Sequence, residues 1–384
     1  MHVVWFAEIK WDYLRTRKQQ LIRRRPADLD LLFFEPYVRG RDNRYDLRSV
    51  DGISVATIPF VKAAPGGPAR LALTWPVVRG GVDAVARQRV RTHLRAAGID
   101  PGRSLFVVSN VYAIRVADAL APRRLVYDCN DAHADFPGMP EWTRDYQEET
   151  FRRADRVIVS AEALRADAVR ARGHGRDLFV VGNGVDFGAF RRALAAAGST
   201  RVDRTRMRVG YLGAIAPWFD FDLVEKAARA RPQWTFVMVG PVLPGASAEV
   251  ARLAALDNVE FRPAVGHDQV PGVMSAFSVG MIPFRRTTLT AGVNPNKLWE
   301  YLAAGIPVVS TPFSAEVAPE PGVVALVSDA EAFVRACESF QAAAGDAAAR
   351  ERLERRAIEM AAAHDWDRLA AEFWACVRAG AENG

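Results

Sequence analysis

Cysteines and metal-ligand motifs are scarce in this sequence. The three cysteines, Cys129, Cys337 and Cys376, are far apart, odd in number and form no CxxC pair. This usage argues against a disulfide framework and favours a reducing cytoplasm. The six histidines include no HExxH motif, and no Cys/His cluster has zinc spacing, so we expect neither a bound metal nor another cofactor.

Long apolar runs are missing as well. No stretch of about 18 apolar residues occurs, which excludes an obvious membrane-spanning helix. The N-terminal MHVVWFAEIKWD combines a short apolar run with charge and does not resemble a signal peptide. We therefore predict a cytoplasmic protein that is either soluble or bound to the membrane surface.

The charge balance points to anionic partners. The 384 residues carry a formal charge of +6, and arginine strongly outnumbers lysine. Nucleotides, phospholipid headgroups and nucleic acids all fit such a balance. The arginines are scattered, and the sequence has no RNP-like aromatic pattern, zinc-finger spacing or helix-turn-helix signature, so we expect no nucleic-acid partner.

Short apolar runs alternate with helical stretches along the whole chain, as in a parallel α/β protein. The pattern starts again after a segment near 183–206 that is rich in Gly, Ser and charge. We predict two Rossmann-like domains in tandem at 1–190 and 207–363, a linker at 191–206, and a C-terminal helix at 364–384 that returns to the first domain. The predicted strands are 3–7, 30–34, 53–58, 104–109, 124–129, 156–160 and 178–182, then 207–213, 234–240, 258–261, 279–284, 307–311 and 323–328.

The segment 294–311, NPNKLWEYLAAGIPVVST, predicts a capped helix followed by a buried strand. Asn294 suits the N-cap, Pro295 the first helical position, and Gly305 a left-handed stop. Lys297 and Glu300 then share one face, roughly 4.5 Å apart along the axis. This arrangement suits an ammonium group near a phosphate and a carboxylate near a ribose. In the alternative interpretation, Lys297 is solvated and Glu300 pairs with a neighbour.

The preceding run, a short apolar strand and the loop RRTTLTAGVN (285–294), supports a nucleotide-diphosphate site. A loop that leads into a helix N-terminus offers free backbone N–H groups and the positive end of the helix dipole to an anion. Arg285 and Arg286 lie beside this loop. Gly210 and Gly213, in VGYLG, suggest a close backbone approach near a diphosphate, although the third glycine of GxGxxG is missing, which disfavours a nicotinamide dehydrogenase.

Taken in order, these motifs resemble the retaining family 4 glycosyltransferases of the GT-B type, and within them bacterial members of the teichuronic-acid and surface-polysaccharide type. The matching segments are KWDYLRTRKQQLIRR (10–24), VYDCNDAHADFPG (126–138), VVGNGVDFGAF (180–190), VGYLGAIAPWFDFDLV (209–224) and the 294–311 block. The resemblance implies two Rossmann-like domains that face each other across a cleft. It also implies sugar transfer, with retention and without metal, from a nucleotide-sugar held by the second domain to an acceptor held mainly by the first.

The resemblance also assigns residues, with two departures. Glu300 matches the second glutamate of the family's E-x7-E element, which binds the ribose hydroxyls, whereas the first glutamate is replaced by Gly292. No lysine follows the glycine loop at 213–222, so Lys297, with Arg285 or Arg286, would replace that charge. The donor set is therefore Gly213, Arg285, Arg286, Gly292, Asn294, Lys297 and Glu300, and Lys297 also acts as a catalytic residue.

Polar residues in the first half complete the predicted site. Asp128, Asn130, Asp131 and His133 follow an apolar strand, where ligands bind in open α/β sheets. Asp131 or His133 would hydrogen-bond the sugar or the acceptor as catalytic residues, although these residues could instead cap the next helix. Glu8 and Trp11 would form the floor of the acceptor site, or Trp11 could be a buried anchor.

Three further alternatives stay open from the sequence. The basic residues between Arg15 and Arg25 form either a solvated helix face or a contact with anionic lipid, which a lipid-linked acceptor would favour. The same architecture is also found in nucleotide-sugar 2-epimerases. A non-catalytic nucleotide- or nucleic-acid-binding protein is a weaker alternative. The donor base, the sugar and the acceptor, whether a sugar, a lipid-linked compound or a small molecule, are not readable from the sequence.

Overall fold

The structure is a computed structural model that describes residues 1–13, 15–61, 67–196 and 207–380. The chain divides into two compact units: unit 1 comprises Met1–Gly182 and Ala370–Gly384, and unit 2 comprises Asn183–Leu369. The first division therefore lies near 182 and not at 190. The predicted linker begins inside a helix, Phe187–Ala196, and its remainder, 197–206, lies outside the described residues.

Unit 1 contains an eight-stranded sheet in the order β3-β4-β2-β1-β5-β6-β7-β8. All neighbouring strands are parallel except β3 and β4. The seven predicted strands of this half are confirmed, and β3 is an additional edge strand that the sequence analysis missed. The strands are β1 (His2–Phe6), β2 (Asp30–Pro36), β3 (Arg48–Val50), β4 (Ile53–Ile58), β5 (Leu105–Val108), β6 (Arg124–Cys129), β7 (Arg156–Val159) and β8 (Leu178–Val180).

The central strands of unit 1 are apolar over nearly their whole length because helices and loops cover both faces of the parallel sheet. In β1 the side chains of Val3, Val4, Trp5 and Phe6 are fully buried. The covering helices are α1 (Arg17–Arg23), α2 (Gly67–Ala72), α3 (Pro76–Ala96), α4 (Ile114–Asp118), α5 (Trp142–Arg153) and α6 (Glu162–Arg172). Short 3-10 turns lie at Pro101–Arg103, Val111–Ala113 and His133–Asp135.

Unit 2 contains a six-stranded parallel sheet in the order β11-β10-β9-β12-β13-β14. Numbered from the first strand of this unit, the order is 3-2-1-4-5-6, as in a Rossmann fold. The strand order reverses between the parallel neighbours β9 and β12. The six predicted strands of this half are confirmed: β9 (Arg208–Leu212), β10 (Thr235–Val239), β11 (Val259–Arg262), β12 (Val279–Ile282), β13 (Val308–Ser310) and β14 (Val324–Leu326).

The helices of unit 2 pack on this sheet through apolar faces. They are α7 (Phe187–Ala196), α8 (Phe221–Ala230), α9 (Ser247–Ala254), α10 (Val270–Ser275), α11 (Thr288–Ala291), α12 (Asn296–Ala303), α13 (Ala330–Gly345) and α14 (Ala347–Ala362), with a 3-10 turn at His267–Gln269. Asp329 and Asp346 cap the first turns of α13 and α14 through their carboxylates. The Ala-rich C-terminal region is thus helical, as its composition predicts.

The last helix, α15 (Trp366–Arg378), begins in unit 2, and its residues from Ala370 onward cluster with unit 1. Within unit 1, the indole of Trp374 donates a hydrogen bond of 2.9 Å to the carbonyl of Leu21. Phe373 stacks on Trp5 at 5.7 Å between ring centroids. Among the helices of the described ranges, none has both the length and the apolar character needed to cross a membrane.

Candidate active site

Helix α12 forms as the sequence predicts, with its start shifted by one residue. It begins at Asn296, and Pro295 occupies the N-cap position without a side-chain cap. The expectation that Asn294 caps the helix and Pro295 begins it is therefore wrong, because Pro295 has an extended backbone (ψ 115°). Gly305 adopts the predicted left-handed conformation, with φ of 71°.

Lys297 and Glu300 lie on the one face of α12 that is not fully buried. Leu298, Trp299, Tyr301, Leu302 and Ala303 all pack into the core of unit 2, whereas Lys297 and Glu300 keep partial exposure. Burial of its charge lowers the pKa of Lys297 to about 8, and Glu300 opposes the shift. Burial raises the pKa of Glu300, and Lys297 opposes that shift. The two side chains thus form a partly desolvated pair of opposite charge.

The ammonium group of Lys297 rests on aromatic rings and on the glycine loop. Its Nζ lies 4.9 Å from the ring centroid of Phe284 and 5.4 Å from that of Tyr211. A Cβ atom at Gly213 would lie 3.4 Å from this Nζ and 3.1 Å from Lys297 Cε. Gly213 itself has φ of 147°, a conformation that side chains disfavour. The sequence placed Gly213 and Lys297 in one site, and the structure brings them into contact distance.

Tyr301 holds the end of β9, which leads directly into Gly213. Its hydroxyl accepts a hydrogen bond of 3.0 Å from the amide of Leu212 and donates one of 3.3 Å to the carbonyl of Gly210. A Cβ at Gly210 would lie 2.1 Å from the ring of Phe277. Gly210 is therefore needed for ring packing inside unit 2, and Gly213 is the glycine that adjoins Lys297.

The loop that follows β12 contains the other predicted donor residues. Thr287 caps α11 by accepting a hydrogen bond from the amide of Thr290. Arg285 lies at the surface, 3.7 Å from a carboxylate oxygen of Asp222, and Arg286 is exposed. Gly292 ends α11 with φ of −83°, so its backbone does not require glycine. Arg285 and Arg286 thus lie at the surface of the loop that follows β12.

Asn294 is buried at the start of the α12 segment. Its side-chain amide donates to Glu316 at 3.3 Å, and its carbonyl accepts a hydrogen bond of 2.8 Å from Asn183. Glu316 follows β13, so the next loop along the sheet supplies a carboxylate beside the N-terminal end of α12. Glu316 could not be identified from the sequence, because no local pattern indicates a contact between residues that are 22 positions apart.

The position of these groups in the sheet matches a ligand site. Gly213 follows β9, and the 285–294 loop follows β12, the two strands between which the order of the sheet reverses. In open α/β sheets, ligands bind at the carboxyl ends of the strands at this reversal. Gly213 and the loop that leads to Lys297 and Glu300 therefore lie at the edge of the sheet where a Rossmann domain binds its ligand.

A second polar cluster lies at the carboxyl ends of β1 and β6 in unit 1. Lys18 forms an ion pair with Glu8 and lies 3.5 Å from the side-chain oxygen of Asn130. Arg17 forms a 3.0 Å ion pair with Asp128. Glu8 Oε2 and Asp128 Oδ2 are buried without a hydrogen-bond partner.

The structure therefore overturns both interpretations of the basic segment for its central residues. Arg17 and Lys18 are almost completely buried, so they form neither a solvated face nor a lipid contact. Leu14, which the segment includes, lies outside the described residues. The signal that could have identified these two residues is the presence of Glu8 and Asp128 at the ends of two apolar strands, because a buried carboxylate requires a cation nearby.

Asp131 and His133 lie in this cluster with altered proton affinities. Burial raises the pKa of Asp131 to about 7, although Lys18 opposes the shift. Burial lowers the pKa of His133, although Glu8 opposes the shift. His133 Nε2 is buried without a hydrogen-bond partner. Near neutral pH the cluster thus offers an imidazole that resists protonation and a carboxyl group that can hold a proton.

A pocket of about 160 Å³ opens beside this cluster within unit 1. Glu8 and His133 supply polar atoms to its wall, and the remainder is largely apolar. Its full lining is Glu8, Pro36, Val61, Asn110, Val111, Tyr112, His133, Phe136 and Met139. These residues follow or end β1, β2, β4, β5 and β6, so the pocket lies at the carboxyl edge of the sheet, where β1 and β5 mark its reversal.

Trp11 does not belong to the lining of this pocket. Its side chain is buried, its amide donates to Glu35 at 3.1 Å, and its indole donates to Asp51 at 3.1 Å. Glu35 is fully buried and also accepts a 2.9 Å hydrogen bond from Lys10. The position of Trp11 corresponds to the alternative that we gave for it, a buried anchor of the segment after β1.

Comparison with known proteins identifies the domain that carries Lys297 and Glu300. Residues 206–342 match the family model described as glycosyl transferases group 1. This segment is a group 1 glycosyltransferase domain. The chain is also 29% identical over 260 residues to a Bacillus subtilis protein named as the teichuronic acid biosynthesis glycosyltransferase TuaH. The match covers 64% of this chain and 64% of the length of that relative.

Solved structures match nearly the whole chain, which includes both units. Anabaena Alr3699/HepE, solved with UDP and glucose, matches with a TM-score of 0.68 at 17% identity, over 98% of this chain and 99% of that chain. Sucrose-phosphate synthase from Thermosynechococcus elongatus matches with a TM-score of 0.72 at 15% identity, over 97% of both chains. The fold is GT-B, with two Rossmann-like parallel-sheet domains, which confirms the predicted fold and the resemblance to glycosyltransferases.

Proposed function

We propose that this protein is a glycosyltransferase that moves a sugar from a nucleotide-diphosphate-sugar to an acceptor hydroxyl. The observation that carries the proposal is the position of Lys297, which lies against Gly213 at the reversal point of the unit 2 sheet. A diphosphate at this point would receive the ammonium charge and backbone N–H groups at once. Glu300 lies one turn further along α12, where it would accept hydrogen bonds from ribose hydroxyls.

The role of Lys297 in the reaction follows from the charge of the leaving group. As the glycosidic bond breaks, negative charge develops on the diphosphate, and an already positioned cation stabilises that charge. We propose that the transfer proceeds with retention and without metal, so that the leaving phosphate accepts the proton of the acceptor. Chelation of divalent cations would then leave the activity unchanged, whereas loss of activity on chelation would contradict this part of the proposal.

We further propose that the acceptor binds in the 160 Å³ pocket of unit 1. A cavity of about 150 Å³ holds one six-membered ring, so this pocket has room for one ring of the acceptor. Glu8 and the neutral His133 would orient its hydroxyl, and Asp131, with a pKa of about 7, would exchange protons with the cluster. The ion pairs of Arg17 and Lys18 hold these groups in place.

A transferase is preferred to a nucleotide-sugar 2-epimerase, because both the family model matched by residues 206–342 and the Bacillus subtilis relative carry the name of a glycosyltransferase. The UDP and glucose bound to HepE suggest a UDP-sugar as the donor, and the name of the Bacillus subtilis relative suggests the synthesis of a surface glycan. Glycolipid and specialised-metabolite synthesis stay open as alternatives. The three cysteines are free, which agrees with a reducing cytoplasm as the site of action.

The test is a thermal-shift panel with UDP, GDP, ADP and TDP sugars, because a ligand that binds the folded state raises its apparent stability. One donor class should raise the midpoint, and nucleoside diphosphate should then be released when acceptor is added. Glu300→Ala and Lys297→Ala should each remove transfer while the protein stays folded. Full activity in either variant would refute the assigned roles, and conversion of the donor without acceptor would favour an epimerase.

A further inference from the structure

An apolar surface is concentrated in one short part of unit 1, around the end of α2 and the start of α3. Its residues are Leu71, Trp75, Val77, Val78 and Val85, with exposed fractions of 70%, 63%, 78%, 36% and 52%. We call these five residues the α2–α3 patch. Large apolar side chains that cluster at such exposure mark an interaction surface more often than scattered ones do.

The backbone beneath the patch is held in place, so this exposure belongs to the folded structure. Arg79 is buried, and its guanidinium donates hydrogen bonds to the carbonyls of Leu73 at 2.7 Å and Thr74 at 3.0 Å. The same guanidinium lies 4.9 Å from the ring centroid of Trp142 in α5. Arg79 thus fixes the turn between α2 and α3, and Trp75 at the N-cap of α3 projects outward from it.

A basic surface continues the patch along α3. Arg89, Arg91 and Arg95 are exposed and Arg87 is partly exposed, and none of the four makes an ion pair with a residue that the structure describes. Asp83 is the single acidic residue in the sequence from 67 to 96. At a rise of about 1.5 Å per residue, the surface extends over roughly 27 Å from Val77 to Arg95.

We propose that the α2–α3 patch and these arginines bind the surface of an anionic lipid bilayer. Tryptophan and aliphatic side chains insert at the level of the headgroups, and arginines bind lipid phosphates in the same plane. This assignment replaces the lipid contact expected from the Arg15–Arg25 segment, whose central cations are buried within unit 1. The inference is independent of the proposed transfer reaction.

The charge of the surface selects a membrane over a second copy of the chain. A symmetric dimer built on this face would bring the arginines of both copies into one interface that holds few acidic residues, and like charges repel. An anionic bilayer instead supplies phosphate groups at high density. Each arginine near such a surface strengthens binding roughly fivefold at low ionic strength.

The experiment is co-sedimentation of the full-length protein with vesicles. Vesicles of phosphatidylcholine with about a third phosphatidylglycerol should bind the protein, pure phosphatidylcholine should bind it weakly, and added salt should release it. Binding to both lipids alike, or to neither, would overturn the proposal. The emission of Trp75, taken as the difference between wild type and Trp75→Phe, should shift to shorter wavelength on the anionic vesicles.

Two double variants and one matched control locate the surface. Trp75→Ser with Val77→Ser should weaken binding to anionic vesicles by about tenfold or more, because it removes the inserted groups. Arg91→Gln with Arg95→Gln should weaken it by roughly 25-fold, from two factors of about five. Val169→Ser, an exposed valine on α6 of the same unit, should leave binding unchanged.

The same variants distinguish membrane binding from the proposed transfer reaction and from self-association. All substituted positions are exposed, so each variant should keep the circular dichroism and the UDP affinity of the wild type. Wild-type binding of both double variants would contradict the assigned surface. Concentration-dependent self-association that is lost in the Trp75 and Val77 variant, without vesicle binding, would assign the patch to a second copy and overturn the membrane proposal.

Discussion

The substitution Lys297→Met should change the stability of the fold and the proposed nucleotide binding in opposite directions. Burial lowers the pKa of Lys297 from 10.5 to about 8, so at pH 7 the folded protein holds a charge that its surroundings disfavour. Methionine has a similar length and can keep the contacts with Tyr211 and Phe284. We expect the substitution to stabilise the fold and to weaken nucleotide binding at the same time.

The magnitude follows from the pKa shift. A shift of about 2.5 units corresponds to roughly 3 kcal/mol of unfavourable charge burial, at about 1.4 kcal/mol per unit. The loss of the cation–π contacts with Tyr211 and Phe284 offsets about 1 kcal/mol. The variant should therefore gain about 2 kcal/mol in free energy of unfolding at pH 7. The wild type should recover this difference as pH rises from about 8 to 10.5, since its lysine then loses the proton.

The assay combines urea unfolding between pH 7 and about 10 with titration of UDP. Removal of one charged phosphate contact should weaken UDP roughly 10- to 100-fold at pH 7. Lys226→Met, an exposed lysine on α8, is the matched control and should change neither quantity. A Lys297→Met protein that is less stable than the wild type would refute the desolvation argument, and unchanged UDP affinity would refute the role of Lys297.

Three further predictions concern the rest of the molecule. Burial raises the pKa of Asp131 to about 7, so the wild type should lose up to about 4 kcal/mol of stability relative to Asp131→Asn as pH rises from about 4 to 7, measured by urea unfolding. Arg17→Met should destabilise the protein by about 3–5 kcal/mol, because Asp128 is then buried without its cation, and a smaller loss would show that water compensates the charge. Gly210→Ala places a Cβ 2.1 Å from the ring of Phe277, so we expect a loss of about 3 kcal/mol or more in thermal unfolding; a stable variant would mean that the ring moves freely.

The strands were predictable because their signal is local. Runs such as Ile53–Ile58 and Arg124–Cys129 are apolar, short and bounded by turn residues, and the structure has them with the predicted bounds. The edge strand β3, Arg48–Val50, was missed, since three residues of mixed polarity carry no periodic signal. The one-residue shift at the start of α12 reflects the weakness of cap signals around a proline.

The partly exposed face of α12 was predictable for a similar reason. Helical spacing alone places Lys297 and Glu300 on one side, and the buried residues between them leave only that side open. The roles given to Arg285, Arg286, Gly292 and Asn294 stay predictions. Lys18 and Arg17 were misread because a run of cations in a sequence has the same pattern whether it is solvated or paired inside the protein.

The sequence by itself determined the tandem Rossmann-like architecture, the strands and the helix that carries Lys297, because each depends on residues within one turn or one strand. Tertiary structure alone decided that Lys297 rests on Gly213, that Arg17 and Lys18 neutralise buried carboxylates, and that five strand ends enclose a pocket at Glu8 and His133. These contacts join residues that are far apart in the chain. The free energy of the charged contacts among them depends on how far burial removes the charges from water. A charge becomes desolvated only when the fold brings other groups over it, which no local pattern records.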